Sequence, residues 1–122
     1  QCSNFPAFYT RDSGLPLDVR CDSFADIAAI LRSRETLGFK TGTLVATPVP
    51  KEHELPAAVA EKAIAQALDE ADERGVRGKE VTPFLLARVS ELTHEESRTA
   101  NVALLQNNAR VAAQIAGALA AS

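Results

Sequence analysis

The sequence predicts an α/β fold that is rich in helix and short of strands, and three observations predict it. Two brief runs, residues 17–20 with alternating polarity and residues 43–46 apolar between Gly42 and the Pro48-Val49-Pro50 stop, read as strands. Four longer segments carry helical spacing and end at helix-stopping residues. Only 5% of the residues are aromatic, and Trp and Met are absent, so the core must be built from Ala, Leu, Val and Ile. Small side chains at that density favour close helix packing. Two short strands do not make a stable sheet, so completing strands are expected from another segment or another chain.

Residues 1–16 read as a loop, because Pro6, Gly14 and Pro16 interrupt any period. Phe5, Phe8 and Tyr9 within it need a surface to pack on, which makes this a segment laid over a neighbouring core or lining a pocket. Ser23 with Asp26 is a capping box that opens the first helix. Phe24, Ile27, Ile30 and Leu31 are its expected buried face, and Gly38 stands where a left-handed C-terminal residue is wanted. Residues 51–56 read as a loop. The next helix covers about 57–74 and stops at Gly75, with Asp69, Glu70, Asp72 and Glu73 on a solvated face. Thr82 as N-cap and Pro83 in the first turn predict a third helix over 83–92. Thr93 with Glu96 predicts another capping box and a last helix from about 94 to 120.

The chain has 122 residues, enough for one domain. Hydrophobic content of 46% and charged content of 24% are those of an ordinary globular chain. A net charge of −3 argues against a nucleic-acid surface. No run approaches the roughly 18 apolar residues of a membrane span. Cys2 and Cys21 have neither disulfide-framework nor metal-ligand spacing, and they read as free thiols of a reducing, intracellular compartment, with a single bridge as the alternative. The start, without Met or a charged leader, reads as that of a processed or partial chain.

The last helix carries the most informative anomaly. Leu104, Leu105, Val111, Ala112, Ile115 and Leu119 form an expected apolar stripe, and Asn101 and Asn108 fall on it two turns apart. A buried amide without a partner costs about 1–3 kcal/mol. Each asparagine therefore either fixes helix register through a defined bond or offers a donor and an acceptor to a ligand. His53 and His94 read as surface histidines. Of the four lysines, Lys40, Lys51, Lys62 and Lys79, only Lys79 sits where an anion could meet helix-start amides; a loop salt bridge is the equal alternative. No phosphate-binding glycine loop, Ser-His-Asp set or Cys-His arrangement is present.

Four stretches, "FPAFYTRDSGLP", "LVATPVP", "GKEVTPFLLARVSELT" and "TANVALLQNNARVAAQIA", together resemble the C-terminal portion of the pseudouridine-5′-phosphate glycosidase family, also called the indigoidine synthase A family. They follow the family order over essentially the whole chain. The resemblance implies that residues 1–122 are the C-terminal portion of one three-layer α/β/α domain. It also implies a lyase that reversibly cleaves the C–C glycosidic bond of pseudouridine 5′-phosphate to uracil and ribose 5-phosphate, working as a homotrimer in the cytoplasm or an organelle. In that family a lysine opens the ribose as a Schiff base and a divalent metal, typically manganese, assists. Nucleophile, proton donor and metal ligands fall upstream of the matched segment, so no catalytic residue and no metal ligand is expected here, and the chain alone is expected to be inactive. An N-terminal part of the same enzyme and a small nucleotide are the implied partners. A non-catalytic module of the same fold and a C-glycoside-forming synthase are the alternatives.

The family's nucleobase-contacting asparagine falls on Asn101. Lys79 and Glu80 recur in the motif with no duty known beyond the turn they occupy. Thr47 stands where the family commonly has Asn, which could alter a pocket edge. His94-Glu95 stands in place of a Gly-Gly turn and is expected to cap its helix better.

Overall fold

A computed structural model describes residues 2–121. Its elements are α1 (Phe24–Thr36), α2 (Ala57–Glu73), α3 (Val81–Leu92) and α4 (Glu96–Ala120), with short 3₁₀ turns at Lys51–His53 and Gly78–Glu80. Among the described residues there is no strand; the nearest approach is an isolated antiparallel bridge between Asn4 and Pro16. Residues 17–20 and 43–46 are therefore not strands here. Leu44 is 78% exposed and has no ladder partner, because a lone extended segment cannot satisfy its own backbone groups.

The local signals set the helix ends well in two of four cases. Ser23 Oγ accepts from the Asp26 amide at 3.1 Å while Asp26 accepts from the Ser23 amide at 3.2 Å, the expected box. α1 ends as the Gly38 amide donates to Glu35 O and Phe39 to Arg34 O, with Gly38 at φ 74°. α2 ends in the same way, through Gly75 to Asp72 and Val76 to Ala71, with Gly75 at φ 64°. These paired bonds absorb the orphan carbonyls of each last turn.

The other two starts differ from expectation. α3 begins at Val81 rather than Pro83, and Thr82 makes no cap. Pro83 is the third helical residue, still among those whose missing amide costs nothing. Between α3 and α4 there is no capping box: Thr93 is the C-cap of α3, and α4 starts at Glu96 after Glu95. The Thr93 hydroxyl, in a residue only 3% exposed, donates to Val89 O at 2.8 Å and accepts from the Ser97 amide at 3.2 Å. His94 and Glu95 lie at φ 50° and 69°. The amides of both bond back to Glu91 and Ser90, the arrangement that Gly38 and Gly75 complete elsewhere. The pair therefore strains the link instead of capping it better.

Tyr9, Val49, Leu55, Ala60, Ala63, Ala67, Val89 and Ala100 form the core. α2 contributes it through alanines at helical spacing, which let α3 approach closely. Glu70, expected on the solvated face, instead faces α3. It takes two bonds from Arg88, 2.7 Å from Nε and 2.9 Å from the terminal nitrogen, with Gln66 adding a third at 3.0 Å. Asp69, Asp72 and Glu73 are exposed as expected. On α1 only Ala28 is buried; Ile27, Ile30 and Leu31 are half-buried and Phe24 is 36% exposed. Phe24, Ile27, Ile30 and Leu31 face an open cleft.

Candidate functional site

The N-terminal loop is tied off by its own hydrogen bonds. Phe5 and Leu17 amides donate to Leu15 and Ser3, and the Asp12 carboxylate accepts from the Asn4 amide side chain at 2.9 Å and the Gly14 amide at 2.7 Å. Those donors hold the Asp12 carboxyl below its ordinary value, the Gly14 bond most strongly. The loop then lies over residues 49–55, as the aromatic cluster suggests. Leu55 donates to Tyr9 O at 3.0 Å, the Arg11 amide donates to Glu54 at 2.7 Å, and the Arg11 guanidinium donates to Val49 O at 2.6 Å. Tyr9 is buried with its ring edge-on to Phe8. Burial raises its phenol above the ordinary value. The nearby Ser97 hydroxyl opposes that shift, yet the two do not meet in hydrogen-bond geometry, and Ser97 Oγ has no partner.

An open cleft of about 1270 Å³ lies beside this loop, walled by residues 16–24, α1, residues 42–48 and one side of α4. Ile27, Ile30, Leu31 and Leu44 make its apolar wall. Two adjacent asparagines on α4 hold its rim. Asn107 donates to Pro48 O at 3.2 Å and accepts from Arg110 at 2.7 Å, while Asn108 accepts from the Thr47 hydroxyl. Arg11, Arg34 and Arg110 line the cleft and form no ion pair among the described residues. Each is held by a neutral partner, Arg11 by Val49 O, Arg34 by Thr41 and Arg110 by Asn107. A guanidinium's remaining N–H donors beside an apolar wall suit a carboxylate or phosphate, from a ligand or from further polypeptide.

The residues singled out in the sequence are dispersed. Asn101 is half-buried on α4 and its amide makes no hydrogen bond among the described residues; it does not line the cleft. Asn108 is exposed and acts as a clamp on Thr47, in line with a register role. Lys79 is exposed in the turn before α3, without an ion pair and away from the cleft walls. Lys40, Lys51 and Lys62 are exposed too, as is His94, whereas His53 is half-buried at the cleft edge. Cys2 and Cys21 are free, half-buried thiols on the cleft wall. Asn107 and Arg11 escaped notice, although the Asn-Asn pair and the lone Arg in "FYTRDSG" were signals of a kind. Polar residues flanking extended segments often anchor them.

Among the described residues no three His, Cys, Asp or Glu side chains come together in a way that could hold a metal ion, so these residues do not fit a divalent cation. No helix among them is long and apolar enough to cross a membrane.

Comparison with known proteins gives a consistent answer. Residues 1–118 match the family model described as indigoidine synthase A like protein. The chain is 56% identical over 116 residues to a pseudouridine-5′-phosphate glycosidase of Rhodospirillum centenum, covering 95% of this chain and 36% of that protein. It is 50% identical over 112 residues to the enzyme of the same name from Caldanaerobacter subterraneus, covering 92% and 36%. Among solved structures, the prealnumycin C-glycosynthase in complex with ribulose 5-phosphate superposes with a TM-score of 0.82 at 27% identity, over 98% of this chain and 39% of that one. An indigoidine synthase A-like protein of Thermotoga maritima gives 0.80 at 35% identity, over 93% and 37%. The chain thus spans little more than a third of the length of these relatives.

Proposed function

The chain belongs to the indigoidine synthase A-like family, and from that premise we propose that it works as the C-terminal part of a pseudouridine-5′-phosphate glycosidase. The observation that carries this reading is identity of 50–56% to two proteins so named over more than nine-tenths of the chain. The reaction breaks the C–C glycosidic bond reversibly, giving uracil and ribose 5-phosphate. An imine on the ribose supplies the electron sink that a C–C cleavage needs, and its lysine belongs to the N-terminal part. All four lysines here are exposed, outside the dry, enclosed pocket that an imine-forming lysine needs.

In this reading the N-terminal part fills the cleft, and its strands pair with residues 17–20 and 43–46 to complete an α/β/α domain. The lack of a ladder partner for residues 43–46 among the described residues and the exposed Leu44 support that arrangement. Asn101 meets the nucleobase, whose alternating carbonyl and N–H groups match a carboxamide; its unpartnered amide supports the role. The divalent ion, manganese by resemblance, is held by residues outside the chain. The enzyme is a cytoplasmic homotrimer. The C-glycosynthase is the second reading, favoured by one structural neighbour but at 27% identity.

The test joins residues 1–122 to the N-terminal part of the Rhodospirillum centenum relative and assays uracil release from pseudouridine 5′-phosphate. Turnover is expected from the joined protein and not from either piece alone. Borohydride trapping with ribose 5-phosphate should label no lysine of this chain. A folded but inert joined protein, or an adduct on Lys40, Lys51, Lys62 or Lys79, refutes the reading.

A further inference from the structure

Two polar side chains near the start of α4 are left without partners, and they share one face of the helix. Ser97 is 1% exposed, and its Oγ meets no hydrogen-bond partner among the described residues. Asn101, four residues on, is half-buried with an unused amide. Residues four apart on a helix are neighbours, with Cβ atoms about 5–6 Å apart. A hydroxyl and a carboxamide at that spacing can turn to meet in a hydrogen bond.

Other hydroxyls on the helices or at their ends behave differently. Ser33, Thr36, Thr93 and Thr99 each turn back to the carbonyl four residues earlier, at 2.8 to 3.3 Å. Ser97 makes no such bond. The carbonyl in its reach, that of Thr93, already accepts from the Glu96 amide at 3.0 Å, and the Thr93 hydroxyl holds the Ser97 amide at 3.2 Å. Thr93 thus fixes the backbone of this turn, and the Ser97 hydroxyl adds nothing to it. A buried hydroxyl left unpaired is destabilising, so the site is incomplete until Oγ is bonded. Tyr9 stands behind it, a core phenol beside Ser97. Burial keeps that phenol protonated. A phenol that gives its proton to Oγ turns the serine proton the other way, toward Asn101.

We propose that Tyr9 and Ser97 are positioning residues for Asn101: the phenol donates to Ser97 Oγ, Oγ donates to Asn101 Oδ1, and the amide nitrogen is left to face a carbonyl of the bound base. The proposal rests on the nucleobase role of Asn101 in the reading above and adds which end of the carboxamide the ligand meets. Without the Ser97 bond the carboxamide turns over freely, and binding has to order it. In the joined protein, Ser97→Ala should lower kcat/KM for uracil release roughly 3- to 10-fold. Melting should change little, since no bond of the fold is lost. Tyr9→Phe should act in the same direction. In an Asn101→Ala background each should change the rate less than about twofold, because no carboxamide remains to be held. Equal losses in both backgrounds overturn the proposal, since the hydroxyls then act on the fold and not through Asn101. Full activity of Ser97→Ala beside an impaired Asn101→Ala also overturns it, and leaves the nucleobase role standing. Full activity of Asn101→Ala removes that role and the proposal together. A crystal structure of the joined protein decides the geometry without turnover. Ser97 Oγ is expected within about 3.2 Å of the Asn101 carboxamide, and Oγ bonded to a residue of the N-terminal part instead refutes the lock.

Discussion

His94→Gly should stabilise the helical core, and the structure allows the size of the effect to be worked out. Three helices end with the same pair of back-directed amide bonds, and the left-handed residue is Gly38 in one, Gly75 in another and His94 in the third. A side chain at φ 50° costs roughly 1–2 kcal/mol through contact of Cβ with the following carbonyl. Glycine returns about 0.5–1 kcal/mol of that through its greater freedom in the unfolded chain. The imidazole is exposed and makes no hydrogen bond, so its loss subtracts nothing. The net gain is about 0.5–1 kcal/mol. In urea unfolding followed by helix ellipticity, with a slope of about 1.5–2 kcal/mol/M, the midpoint should rise roughly 0.3–0.6 M at constant slope. His94→Ala keeps the Cβ and should give no gain. Equal stabilisation by Ala and Gly, or none by Gly, refutes the backbone argument.

Thr93→Val keeps the shape of a buried residue but strands the Ser97 amide, and should cost about 1–3 kcal/mol in the same unfolding experiment, with Thr93→Ser costing less. Arg88 holds the Glu70 carboxyl below its ordinary value of 4.5. Its contribution is therefore fully present above pH 4.5 and lost as pH falls through the lower folded value. Glu70→Gln should flatten the acid limb of the stability profile below pH 4.5, and an unchanged acid limb would show the pair to be idle. In the joined protein, Asn101→Ala should slow uracil release by ~2–4 kcal/mol of barrier with little change in melting, by analogy with removed transition-state donors. Asn108→Ala should release Thr47 and loosen the fold before it slows turnover; the reverse pattern would exchange the two roles.

The sequence by itself determined the helices and most of their stops. Ser23 with Asp26, Gly38 and Gly75 act through bonds spanning a few residues, so their signals are complete in the local chain. It also determined the family, because four ordered motifs need no coordinates to be read. Tertiary structure decided what depends on distant partners. Thr93 looked like a cap for the helix after it and became the C-cap of the helix before it. Its hydroxyl bridges both, a choice fixed by how α3 and α4 meet. Glu70 belonged by pattern to a solvated acidic face, and Arg88, 18 residues away, turned it into a bond between α2 and α3. The stripe on α4 divided in two: Ile115 went to the core and Leu105 to the outside, since a nearly uncharged helix has no polar side to mark which face is which. Residues 17–20 and 43–46 form no strand, because a strand exists only when a neighbour supplies the other half of its hydrogen bonds.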